Sequence, residues 1–214
     1  MDEDVSIINN NTRNEKIKNF FKDNKKILLA LLFFLLILVI SYFSYSEYKG
    51  IQIKKISERY NSAVIDFSNG SKDKTVEKLL EIIDKKDPTY STLSLYFIID
   101  NQLIPDRKEV NDLFDILINK TSLKKNIKNL VIYKKALYNA DFVNENEILE
   151  MLKPLINKQS IWSSHAFYLL AEFFYSKNEK QKAKEFFNKI LSLDNANQDI
   201  IKETQKRLNR DFSD

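Results

Sequence analysis

Apolar residues fall along this chain in two regimes. From Ile27 to Ile40 the sequence reads ILLALLFFLLILVI without one polar side chain, and Ser41 to Tyr45 extends the run to about 19 residues. A helix of that length crosses a hydrocarbon core of ~30 Å. A segment apolar on every side needs an apolar environment on every side. Its Leu, Ile, Phe and Val residues each favour insertion by roughly 0.3 to 0.6 kcal/mol. The run therefore predicts a transmembrane helix, with Tyr42, Phe43, Tyr45 and Tyr48 at the headgroup layer that aromatic rings prefer. From Glu47 onward the apolar positions instead recur at three- and four-residue spacing, as in amphipathic helices, with breaks at Asn69-Gly70, Asp87-Pro88 and Ile104-Pro105. The chain is expected to be all-α: a tail over 1–26, an anchor over 27–46 and a helical domain over 47–214.

The flanks of the apolar run give its expected orientation. Arg13, Lys16, Lys18, Lys22, Lys25 and Lys26 precede it, whereas Lys49, Lys54, Lys55 and Arg59 follow within a similar distance. The excess on the N-terminal side places that side in the cytoplasm and the domain in the periplasm or its equivalent. Ser44 and Ser46 have the size and spacing of a signal-peptidase site, but the long preceding tail and the length of the run favour an uncleaved anchor.

The helical part carries an internal period. Ser164 to Asn195 reads SHAFYLLAEFFYSKNEKQKAKEFFNKILSLDN, in which Phe167, Leu170, Ala171, Phe174 and Tyr175 lie on a first helix and Ala183, Phe187 and Ile190 on a second. This stretch resembles a tetratricopeptide repeat, with Phe167 in the position usually held by Trp and Asn178 replacing the usual turn Gly. Asn tolerates the left-handed conformation such a turn requires. Small residues at Ala171 and Ala183 allow two helices to approach closely, with Phe167, Phe174 and Phe187 filling the space around them. The same template fits Tyr60, Ala63, Val64 and Phe67, then Val76, Leu80 and Ile83. Weaker copies place Val110, Phe114 and Leu117, and Ile148, Leu152 and Leu155, on second helices. Equivalent positions 76, 110, 148 and 183 are 34, 38 and 35 residues apart, near the ~34 of this repeat class. Ala196 to Arg210, with Ile200, Ile201 and Leu208 on one side, is expected to be a capping helix.

Composition narrows the function. With 2 Gly and 3 Pro in 214 residues, the tight turns of a sheet-rich fold cannot recur, and Gly50 and Gly70 are isolated rather than part of a phosphate-binding loop. The absence of Cys removes disulfides, thiolate metal sites, cysteine nucleophiles and a lipidated cysteine. A net charge of +4 between 34 basic and 30 acidic residues is too evenly spread for a nucleic-acid face. His165 has no partner of the catalytic kind nearby in sequence, and carboxylates such as Glu172 and Asp194 sit on charged amphipathic helices where they are ordinarily solvated. No enzyme, cofactor, metal or small-molecule substrate is expected. Trp162 reads as a packing residue, since large rings contribute most when buried.

The whole layout resembles the bacterial YfgM-like family, ancillary subunits of the Sec translocon with a periplasmic tetratricopeptide domain. The resemblance rests on the acidic start Met1-Asp-Glu-Asp4, the segment NEKIKNFFKDNKK before the span, the span, the degenerate repeats and a final helix containing Arg207-Leu208. It implies a single-pass protein of the bacterial inner membrane that contacts lipid through Ile27 to Tyr45. Its protein partners would be the translocon and periplasmic chaperones. It also implies a concave surface formed by His165, Tyr168, Glu172 and Tyr175 that binds them without covalent chemistry. A structural adaptor for envelope growth or division, and a non-catalytic regulator of a membrane enzyme, are the alternative expectations.

Overall fold

The computed structural model describes residues 15–16, 18–156 and 160–212. Among these the only regular structure is helical: α1 (Lys25–Ser68), α2 (Lys72–Asp84), α3 (Tyr90–Asp100), α4 (Arg107–Lys120), α5 (Lys125–Asn139), α6 (Glu145–Ile156), α7 (Ser163–Ser176), α8 (Lys180–Leu191) and α9 (Gln198–Asp211). Residues 18–23 are helical as well. The chain divides into two compact units, Met1–Lys55 and Ile56–Asp214.

In the first unit the apolar side chains face outward on all sides of α1: Leu29, Phe33, Ile37 and Ile40 are each 45% exposed or more. Among the described residues α1 is the one helix long and apolar enough to cross a membrane. The helix continues without interruption through residues 46 and 47 to Ser68, so the end of the apolar run is not the end of the element.

In the second unit each of α2 to α9 packs on the next helix in sequence, and α2 with α4, α5 with α7 and α7 with α9 also touch. The last turns of α1 join this packing through an ion pair from Arg59 to Glu81 (2.6 Å), another between Asp66 and Lys78, and a Thr75 hydroxyl that donates to the Ala63 carbonyl (3.3 Å). Two apolar clusters result. One gathers Ala63, Leu79, Ile83, Leu95, Ile98, Val110, Phe114 and Leu117; the other gathers Ile148, Leu152, Leu155, Leu170, Ala171, Phe174, Ala183, Phe187 and Ile190. Helix α5 contributes Val131 to the first and Ala136 to the second. At roughly 1.5 to 3 kcal/mol for each fully buried large apolar side chain, these clusters hold the helices together.

Three helices end in the same way. After α1, α3 and α7 the residues Gly70, Gln102 and Asn178 take positive φ of 80°, 49° and 64°. Each donates to the carbonyl three residues back, and the next residue donates five residues back: Ser71 to Asp66 (2.9 Å), Leu103 to Ile98 (3.0 Å) and Glu179 to Phe174 (2.9 Å). This Schellman arrangement satisfies carbonyls that the helix end leaves unpaired and reverses the chain abruptly. Serine hydroxyls then tie α3 and α7 to the ends of the helices before them, Ser91 donating to Ile82 (2.9 Å) and Ser163 to Leu155 (2.7 Å).

Candidate interaction surface

Helix α7 buries Ala166, Leu169, Leu170, Ala171, Phe173 and Phe174, which leaves His165, Tyr168, Glu172 and Tyr175 as a half-buried stripe at helical spacing. The four do not form one open surface. His165 lies against Tyr133 and Trp162, with ring centroids 5.9 and 5.0 Å away. Its Nδ1 is buried without a hydrogen-bond partner, and burial pulls its pKa below 6.5, because desolvation disfavours the imidazolium. Trp162 stacks on Tyr133 at 5.9 Å and donates its indole N–H to the Asn126 carbonyl at 3.1 Å.

The other three residues face α9. Glu172 accepts two hydrogen bonds from Arg207, at 2.7 Å from Nε and 2.8 Å from Nη2, the bidentate geometry in which such pairs are strongest. Arg207 also pairs with Asp211, and its guanidinium lies 4.5 Å over the Tyr175 ring. Phe212 meets Tyr175 edge-on at 5.7 Å and Phe187 at 5.9 Å. Tyr168 rests edge-on against Phe187 at 5.5 Å, and its phenol is pushed up to about 12 by burial first and then by the Glu172 and Glu203 carboxylates. Arg207 is therefore part of this surface, with a side chain only 11% exposed against 35% for Glu172.

A second concavity lies among α3, α4 and α5. Tyr96, Ile99, Asp100, Phe114, Lys134, Leu137 and Tyr138 line a cavity of about 180 Å³. The Lys134 ammonium stands 4.4 Å above the Tyr96 ring. The Tyr96 hydroxyl is buried without a partner, and burial, followed by the Asp100 charge, raises its pKa to about 12. Nothing in the local pattern marks these residues, because they come together from three helices, Tyr96 and Tyr138 lying more than forty positions apart. Among the described residues no three His, Cys, Asp or Glu side chains converge as a metal site.

The arrangement offers aromatic rims, a paired acidic and basic group, and an apolar pocket. No family model, characterised protein or solved structure shows a significant match to this chain.

Proposed function

We propose that this protein is a single-pass, membrane-anchored protein-interaction module of the cell envelope rather than an enzyme. Its second unit is read as a tetratricopeptide-like solenoid in the periplasm. The observation that carries this reading is a recurrence. Ala63 and Ala171 are buried, and each lies seven residues before a left-handed helix-ending residue, Gly70 and Asn178. Helices α2, α4, α6 and α8 begin at 72, 107, 145 and 180, steps of 35, 38 and 35 residues, and packing between helices that are neighbours in sequence is what a solenoid of stacked pairs requires. In the second of the four copies Leu95 takes the place of the small residue, seven residues before Gln102, which accounts for the weaker sequence match there.

The resemblance to the YfgM-like family supports the narrower assignment, an ancillary translocon subunit that passes exported chains to periplasmic chaperones. In this role the anchor holds the binding surface beside the channel and raises its effective concentration there. The partner contacts the exposed rims of Tyr168, Glu172 and Tyr175 alongside α9, with His165 and the Tyr96–Lys134 cavity as further points of contact. A photo-crosslinking residue at position 168 or 134, in intact membranes, tests this. Crosslinks to channel subunits or chaperones are expected at one or both positions; crosslinks to division proteins would favour the adaptor role, and none at either position would overturn an interaction surface on these helices.

A further inference from the structure

The residues ahead of the apolar run form a patterned surface. Residues 18–23 are helical, and Asn24 carries the hydrogen-bond ladder onward: its N–H donates to the Phe20 carbonyl at 3.0 Å, and its carbonyl accepts from Leu28 at 2.9 Å. The helical register of 18–23 thereby continues into α1. At 3.6 residues per turn, Lys18, Lys22, Lys25 and Lys26 fall within an arc of roughly 100° on one face. All four are exposed, and none forms an ion pair among the described residues. Phe20 and Phe21 occupy the other side, 57% and 58% exposed and edge-to-face at 6.0 Å. That side runs on into Leu28, Leu31 and Leu32 of the apolar run. Over residues 15–26 the acidic groups are Glu15 and Asp23, against five lysines.

We propose that this face is a binding surface for acidic phospholipids. The ammonium groups of Lys18, Lys22, Lys25 and Lys26 engage headgroup phosphates in the leaflet at the N-terminal end of the span, while Phe20 and Phe21 enter the acyl boundary. The inference rests on reading α1 as membrane-spanning, because that reading brings the lysines to headgroup depth. Three features choose the ligand. The apolar side is continuous with a lipid-facing surface, the opposite side carries four lysines against the single carboxylate of Glu15 over its arc, and a leaflet rich in acidic lipid attracts juxtamembrane lysines that a zwitterionic one holds weakly. A general basic flank sets orientation through charge count alone; a face that gathers four of the five lysines of this segment selects which lipids surround that end of the helix.

The test uses the full chain in vesicles of phosphatidylcholine alone and of equal parts phosphatidylcholine and phosphatidylglycerol, followed by native mass spectrometry of the retained lipid. The chain is expected to float with both vesicles after alkaline extraction. It is expected to retain phosphatidylglycerol over phosphatidylcholine by about fivefold or more, and K18Q/K22Q/K25Q/K26Q to bring that ratio to parity. K49Q/K54Q/K55Q, on the other flank, should keep the preference. Flotation without a preference in the wild-type chain overturns the lipid surface alone, whereas failure to float with either vesicle overturns the spanning helix and the lipid surface together. Loss of preference in the K49Q/K54Q/K55Q variant but not in the first would contradict the assignment to these lysines. Displacement of the bound lipid by millimolar glycerophosphate would show a soluble phosphate site instead.

Discussion

His165 has a buried, unpaired Nδ1 between the rings of Tyr133 and Trp162, so protonation puts a poorly solvated charge among aromatic rings. Its folded-state pKa lies below 6.5, and the unfolded chain takes up the proton first as pH falls. Stability should therefore decline as pH drops below 6.5 toward the folded pKa, and His165→Gln should flatten that part of the profile. Melting curves between about pH 7.5 and 5 check this, and equal slopes in the two proteins would contradict it. Thr204 is fully buried with its hydroxyl unpaired. Thr204→Val removes a desolvated donor and should raise stability by about 1 kcal/mol, read from the urea midpoint. Single residues were unevenly legible in the sequence. Asn178 could be expected at φ 64° because its side chain tolerates that region, whereas Gln102 at 49° and Lys86 at 54° carry no such preference and are held there by the surrounding turns.

Among the elements, α7 and α8 pack on each other with Ala171 and Ala183 both fully buried beside Phe174 and Phe187. Extra volume at that contact has nowhere to go, and Ala183→Leu should lower stability by about 1 to 3 kcal/mol through overpacking. Thermal unfolding of the whole chain checks it; an unchanged melting temperature would remove Ala183 from the contact. Helices α4 and α6 were the most readable elements, whereas in α2 the expected Val76 and Leu80 are half-buried and Leu79 and Ile82 lie in the core beside Ile83. Val110, Phe114 and Leu117, and likewise Ile148, Leu152 and Leu155, are 0 or 1% exposed, because the apolar stripe of an amphipathic helix states which face is buried. The docking of α9 on Glu172 and Tyr175 was not readable. An ion pair spanning 35 residues leaves no periodic trace, and a Glu on a charged helix ordinarily faces water. Arg207→Gln leaves Glu172 without its bidentate partner and should cost about 1 to 3 kcal/mol. Faster amide exchange confined to residues 198–211 is the accompanying sign that α9 has loosened, and unchanged exchange there would contradict the pairing as its anchor.

For the whole molecule, the helical class and one long helix apolar enough to cross a membrane follow from patterns that have few physical alternatives. A run apolar on all sides needs lipid or a large protein around it, and α1 has its apolar side chains exposed over that run. Helix α1 passes through residues 46 and 47 without a break, and the second compact unit begins at Ile56. Gly50 lies inside that helix, and a Cβ there would meet nothing within 4 Å, so no packing constraint marks a break. Close helix contacts could be read where small residues fall, at Ala63, Ala171 and Ala183, all fully buried.

The central claim is that α1 crosses a membrane and places Ile56–Asp214 outside the cytoplasm. The most direct measurement puts a tag at each end of the full chain and adds protease to spheroplasts, with alkaline extraction of the membranes in parallel. The expected result is a digested C-terminal tag, a protected N-terminal tag and a chain that stays in the membrane pellet. A protected C-terminal tag, or release of the intact chain by alkali, would contradict the account.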